Sequence, residues 1–375
     1  MASLLKCFRH TVITAFTAVS VVAVLVVADQ VADLSFVADA SAQDAPKKKE
    51  RETRKTPALR NNIYEKLAEA QVFAEEKQYV EAEEVLNEML DATSKKSKLN
   101  KYELANVYNT YAYLRYAVED YAGALNYYRK VIDQRPEIPL ALEIGTLYTV
   151  AQLYFLQEEW QKGIDTLNQW MAASDNPSTN AYVLLANGYY QLKDYDKSLF
   201  NIETAIERDQ AAGKLPKEQW YNLARFIYFD RDEYREALDI LDILIMYYPK
   251  KSYWLQASAL YSELGDEPRQ LAMLEVSYEQ GLLDRSQDIV NLASMYLNAE
   301  VPYWGAKAMD IGFSDGIVEE ESKNYELAGA AWRQAQEVEN SLPMLEAAAS
   351  TSEEGELYAR LGNVYLDVDK NKQAV

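Results

Sequence analysis

This 375-residue chain contains one cysteine, Cys7, and one histidine, His10. Both lie near the N-terminus, in a stretch that reads as removed on export or held in a membrane, so the folded part is expected to contain neither. Their absence there excludes Cys nucleophiles, His general bases, Ser-His-Asp triads, thiolate or imidazole zinc sites and disulfides. Glycine is scarce at 13 residues, and no Gly-rich phosphate loop occurs among them. Positive charge is short as well, with 38 Lys+Arg against 59 Asp+Glu and a net charge of −21. Residues 1 to 60 carry nine basic and six acidic side chains, a balance of +3, which leaves −24 on the other 315. A surface of that sign repels phosphate backbones, so nucleic acid is not expected as a partner. No cofactor and no metal is implied.

Lys6 and Arg9 precede an uncharged, mostly apolar run from Thr11 to Ala28, and Ala40-Ser41-Ala42 before Gln43 has the form of a signal-peptidase site. Residues 1–42 therefore read as a signal peptide or, alternatively, as an N-terminal anchor in the inner membrane through residues 11–28. Both readings place the remainder in a periplasm. Residues 43–62 are basic and polar, with Pro46 and Pro57, and read as a flexible linker. A second reading of Lys47 to Lys49 with Arg51, Arg54 and Lys55 is contact with anionic lipid head groups beside the membrane.

Against these shortages stand 49% hydrophobic residues and 29 Tyr, the composition of a packed chain. A small residue followed four later by a large apolar one recurs at Ala82/Leu86, Ala124/Tyr128, Gly163/Leu167, Ser198/Ile202 and Ala237/Leu241. Weaker copies follow at Gln270/Leu274, Gly305/Met309 and Ser341/Leu345, and Ala374 begins another. Twelve residues before each lies a second small or tolerant position: Ala70, Ala112, Ala151, Ala186, Arg225, Ser258, Ala293, Gly329 and Gly362. Three residues beyond that position comes an aromatic, except for Arg115 in the second copy. A short polar turn separates the two positions, so each unit is two helices, A and B, folded back on one another and touching through small residues. Residues 63–375 thus form about eight repeats plus an incomplete ninth. Arg225, Gln270, Pro268 and Pro302 depart from the pattern and imply shifted packing in the sixth and seventh copies.

With copies 33 to 42 residues apart and Leu361-Gly362-x-x-Tyr365 near the end, the chain resembles the tetratricopeptide repeat. That resemblance implies an all-α, right-handed superhelical solenoid of helix-turn-helix repeats that binds protein and is not an enzyme. The segment from Lys251 to Gly281, the run Val301-Pro302-Tyr303-Trp304-Gly305-Ala306-Lys307 and Asn324-Tyr325-Glu326 are similar to periplasmic tetratricopeptide proteins encoded beside TonB/ExbB/ExbD systems in gammaproteobacteria. This second resemblance implies an accessory role in TonB-dependent outer-membrane transport, with components of that complex as partners. The alternatives are a cell-envelope assembly or chaperone factor and, in another class, a carboxylate-dependent glycan hydrolase. The hydrolase would need two acids facing across one cleft. Glu83-Glu84 and Glu319-Glu320-Glu321 offer none, since they fit solvated positions. Asp367-Val368-Asp369-Lys370-Asn371 imitates the start of a calcium loop, but Lys372 occupies the position that needs glycine.

The inner surface of such an array is lined mainly by helix A. Helical periodicity gives the lining of copies two to five as Asn109, Tyr113 and Tyr116; Tyr148, Gln152 and Phe155; Val183, Asn187 and Tyr190; and Asn222, Phe226 and Phe229. Amides interleaved with rings suit an extended peptide, whose backbone the amides pair while the rings receive its side chains. The other reading is a groove that is solvated or filled by the chain's own tail. No Lys or Arg is among the twelve, so the basic clamp by which some tetratricopeptide domains hold a terminal carboxylate is not expected in this set. Only Gln373-Ala374-Val375 remain for the last helix B, and the native protein is expected to continue past Val375.

Overall fold

The structure, a computed structural model, describes residues 54, 57–91, 98–351 and 355–374. The signal or anchor segment 1–42 and most of the 43–62 stretch lie outside these residues. Seventeen α-helices and no strand occur among the described residues, and successive helices form A/B pairs. The first four pairs are α1 (Asn61–Glu75) with α2 (Tyr79–Leu90), α3 (Lys101–Ala117) with α4 (Tyr121–Ile132), α5 (Leu140–Leu156) with α6 (Trp160–Ala173), and α7 (Thr179–Gln191) with α8 (Tyr195–Ala211). Next come α9 (Glu218–Asp230) with α10 (Tyr234–Tyr247), α11 (Lys251–Glu263) with α12 (Glu267–Glu279), α13 (Ser286–Asn298) with α14 (Pro302–Ser314), and α15 (Ser322–Gln334) with α16 (Val338–Thr351). The last helix is α17 (Gly355–Asp367). The chain is an all-α array of tetratricopeptide-type helix-turn-helix repeats. It divides within α8 into two compact units, Met1–Asn201 and Ile202–Val375.

A single left-handed residue makes each turn from helix A to helix B. Lys77, Glu119, Glu158, Lys193, Asp232, Gly265, Glu300, Gln336 and Asp369 all have φ between 58° and 69°. Each lies five residues before one of the helix-B small positions read from the sequence, so the two series have the same separations. At every turn the left-handed residue donates to a carbonyl three residues back, and the next residue donates five back, as in Lys77 N to Ala74 O and Gln78 N to Phe73 O. This Schellman geometry satisfies carbonyls that helix A leaves open. The residue after the left-handed position also begins helix B, and Asp120 and Asp266 accept there from the backbone N–H groups of Gly123 and Arg269 at 2.9 and 3.1 Å. Acids at this position in six of the nine turns also favour the helix dipole. Asp369 is a turn residue of this kind, which accounts for the acidic run resembling a calcium loop.

The carbonyl reached from five residues on belongs to Phe73, Arg115, Tyr154, Tyr189, Tyr228, Tyr261, Tyr296, Trp332 and Tyr365, the aromatic series of the sequence pattern. Several of these residues reach back to an acid on the preceding helix B. Tyr296 Oη donates to Glu275 at 2.9 Å and Trp332 Nε1 to Asp310 at 3.2 Å, while the Tyr228 and Tyr365 hydroxyls pair with Glu203 and Glu346. Arg115, the exception in sequence, donates to Glu83 at 2.8 Å. Except at Phe73, what recurs is a flat side chain with a donor at its tip, and arginine meets that need as tyrosine does. Part of the tyrosine excess is therefore structural, as at Tyr228, Tyr296 and Tyr365, where the polar end of the ring is paired between repeats.

The small residues are where helices A and B touch. Ala70, Ala82, Ala112, Ala124, Ala151, Ala186, Ala237 and Ala293 are fully buried. Ser198 Oγ donates to the Ala186 carbonyl at 2.7 Å and Ser258 Oγ to the Gln270 carbonyl at 3.1 Å. Pro268 and Pro302 are accommodated at helix starts. They fall in the first turns of α12 and α14, where a missing N–H costs nothing. In the first unit Leu86, Val107, Tyr111 and Leu114 form one cluster and Leu147, Val150, Ile164, Leu167 and Trp170 another. In the second, Leu274, Ile289, Leu292 and Met309 form one cluster and Leu342, Leu357, Leu361 and Val364 another. Each such side chain contributes about 1.5–3 kcal/mol on burial.

α1 begins at Asn61, inside the stretch read as linker, and Arg54, Leu59 and Arg60 before it are bound to the array. Leu59 packs on the first cluster, and Arg60 makes two 2.7 Å bonds to the fully buried carboxylate of Glu103. Arg54 pairs with the buried Glu143. Buried carboxylates need such partners, which is why these arginines are held rather than solvated. No helix among the described residues is long and apolar enough to cross a membrane.

Candidate functional site

The twelve residues expected to line an inner face sit on four A helices, and none of them is buried. Asn109, Tyr113 and Tyr116 share a face of α3 at i, i+4 and i+7, and Tyr148, Gln152 and Phe155 share the corresponding face of α5. Val183, Asn187 and Tyr190 do the same on α7, which places nine of the residues in the first unit. Asn222, Phe226 and Phe229 on α9 belong to the second unit. α3 and α5 follow one another through a shared cluster of Ala105, Tyr108, Val131, Ile138 and Leu142.

The third residue of each set has a structural task. Tyr116 meets Tyr121 at 5.5 Å between ring centroids, Phe155 meets Trp160 at 6.3 Å, Tyr190 meets Tyr195 at 5.9 Å and Phe229 meets Tyr234 at 6.0 Å. In every case the partner is the first ring of helix B across the one-residue turn. Phe155 also fills the space left by two glycines, since a Cβ added at Gly163 or Gly188 would come within 2.9 or 2.7 Å of its ring. These four rings present one side to the face and use the other for the turn.

The amides differ from one another. Asn187 Nδ2 bonds the Val183 carbonyl of its own helix at 2.9 Å. Asn222 Nδ2 donates to Tyr253 Oη at 2.9 Å, and its Oδ1 accepts from Arg225 at 3.1 Å. The side-chain amides of Asn109 and Gln152 make no hydrogen bond among the described residues. Tyr113, one turn from Asn109, is 50% exposed. Tyr148 packs on Trp170 at 4.8 Å, and burial pushes its hydroxyl up while a hydrogen bond with Ser178 acts the other way. Burial pushes the Tyr128 hydroxyl up to about 12, with Tyr116 and Tyr113 beside it adding to the effect. The first unit therefore offers two unused amides on successive A helices, one of them, Asn109, a turn from a half-exposed ring.

Arg225, which departs from the small-residue pattern of the A helices, lies against Asn222 and Phe226. It is a guanidinium where every counterpart is small or neutral. No group of His, Cys, Asp and Glu able to hold a metal ion occurs among the described residues.

No family model matches the chain, and no curated protein matches it. Solved structures similar to it include a tetratricopeptide repeat protein from Parabacteroides merdae, with 17% identity, 81% of this chain and 98% of that one covered, and a TM-score of 0.38. Another is YrrB, a TPR protein with an unusual peptide-binding site, with 16% identity, 46% and 83% coverage and a TM-score of 0.37. A third is the TPR2AB-domain:pHSP90 complex of yeast Sti1, with 14% identity, 72% and 98% coverage and a TM-score of 0.36.

Proposed function

We propose that the chain is a non-catalytic scaffold that holds an extended segment of a partner protein along the α3 and α5 faces of its first unit. The observation that carries this reading is the pair of unused amides, Asn109 and Gln152, on successive A helices, with the exposed Tyr113 one turn from Asn109. An extended backbone presents N–H and C=O groups in alternation, and a carboxamide can both donate and accept. The exposed ring of Tyr113 would receive a side chain of the same segment. The sequence resemblance adds a location and a context. The protein is exported to the periplasm, by a cleaved signal or tethered through residues 11–28, and assists TonB-dependent transport.

Partner capture from crosslinked envelope fractions tests this, comparing the native chain with Asn109→Ala/Gln152→Ala. The double variant is expected to lose the partner while keeping its thermal midpoint, because neither amide is bonded within the fold. Undiminished capture would refute the assignment of this face.

A further inference from the structure

The acids that receive the repeat rings form a series of their own. Tyr228, Tyr296, Trp332 and Tyr365 donate to Glu203, Glu275, Asp310 and Glu346, and each acid stands five residues past the small position of the preceding helix B. Seven of the eight such positions hold an acid or an asparagine, and the eighth, on α4, holds Arg129. The ring that belongs with it is Tyr154 on α5, which is 8% exposed. A cation has thus taken the place of the acceptor at this junction. Neither the Tyr154 hydroxyl nor the Arg129 guanidinium makes a hydrogen bond or ion pair among the described residues. Lys162 Nζ lies 5.7 Å from the centre of the Tyr154 ring but is already paired with Glu159.

A cavity of about 140 Å³ lies at the same junction, between α4, α5 and α6 of the first unit, and both Arg129 and Tyr154 line it. Its apolar wall is Ile132, Leu147 and Val150, all buried, and α6 adds the Thr166 hydroxyl, which bonds no described residue. A space of that size takes a molecule of about one six-membered ring. Apolar walls with a few convergent polar groups are the usual makings of a small-molecule site. Both strong donors here lack an acceptor, so negative charge is what the cavity is short of. Asp133, one turn from Arg129 and not paired with it, also lines the cavity and repels a second such charge.

We propose that this cavity binds a small monocarboxylic acid with an apolar body. Its carboxylate accepts from Arg129 and from the Tyr154 hydroxyl, filling the role that an acidic side chain has at four other junctions, and its body lies on Ile132, Leu147 and Val150. Bonds from a guanidinium to a carboxylate are charge-assisted and directional. The inference stands apart from the peptide-binding reading, since neither Asn109 nor Gln152 lines the cavity.

The test follows the Tyr154 ring resonances of the full chain, labelled at tyrosine and assigned by their loss in Tyr154→Phe. The probes are benzoate and 3-methylbutanoate, each compared with its amide. At least one acid is expected to shift the resonances saturably. Its amide has the same shape without the charge and should bind at least about tenfold more weakly, the loss of one charge-assisted bond. Arg129→Gln should weaken the acid by a similar factor and keep the thermal midpoint, because Arg129 is exposed and bonds nothing. Arg129→Glu supplies the acid found at the other junctions and should abolish binding, whereas Asp133→Asn should tighten it. No saturable shift with either acid would leave the cavity to water and overturn the proposal. Equal affinity for acid and amide, or unchanged affinity in Arg129→Gln or Arg129→Glu, would overturn it as well, since the site would then be apolar space only. Asn109→Ala/Gln152→Ala should leave acid binding unchanged, whichever way partner capture turns out.

Discussion

Eight of the nine A-to-B turn residues hold a left-handed backbone without being glycine. That conformation costs an L-residue about 1–2 kcal/mol through the approach of Cβ to a carbonyl oxygen. Glycine avoids the clash but loses about 0.4–1 kcal/mol through the greater freedom of its unfolded chain. The difference is a gain of about 0.5–1 kcal/mol for each turn converted. Lys193 and Gln336 are the best sites, because both are exposed and neither bonds another side chain, so nothing else changes. One turn lies in each unit. Lys193→Gly and Gln336→Gly should each raise the urea midpoint and slow hydrogen exchange in the flanking helices, α7/α8 for the first and α15/α16 for the second. Gly265→Ala, where glycine already has φ of 69°, should move both measures in the opposite direction by a similar amount. If both glycine variants unfold earlier, or if Gly265→Ala is neutral, the turn geometry is not what holds the helix pairs together.

Gly305→Ala should destabilise by about 1–3 kcal/mol in chemical denaturation, despite the better helix propensity of alanine. The new Cβ would sit 2.9 Å from the Ala293 carbonyl oxygen, and a backbone atom cannot swing away. Arg60 donates hydrogen bonds to Glu103 that hold its carboxyl below the usual carboxylate range, against the opposing effect of burial. With the folded pKa below the unfolded one, this stabilisation is present above the ordinary carboxylate value and fades as pH falls through the folded one. Urea midpoints measured on acidification should therefore drop further for the native chain than for Glu103→Gln.

The repeat period was legible because each pair is built on one turn design, and the residues that let the helices touch lie at a fixed offset from it. Ala82, five residues after Lys77, and Ala374, five after Asp369, obey the same spacing although their surroundings differ. What the ring three beyond the helix-A small residue does was less legible. Its partner acid stands on another helix, at Glu203, Glu275, Asp310 and Glu346, each five residues past the helix-B small position. That second series is present in the sequence, but it gains meaning only when Tyr296 is seen to reach Glu275. That Asn109 shares a helix face with Tyr113, and Gln152 with Tyr148, could be read from periodicity. That Asn187 would bond its own helix, and that Phe155 would fill the gap beside Gly163 and Gly188, could not, because both depend on where neighbouring atoms arrive. Arg54 and Arg60 looked like solvated charge for the same reason, since Glu103 and Glu143 are far from them in sequence and close only in the fold.

The central claim, that the first unit holds a partner segment on its helix-A face, is tested most directly by a photoreactive phenylalanine analogue placed at position 113 in cells. A second copy of the analogue at Asp165, exposed on α6, serves as the control. Irradiation is expected to join position 113 to one partner protein through a short contiguous segment, and to give no such adduct at position 165. Adducts to the same protein from both positions, or to none from position 113, would contradict the account.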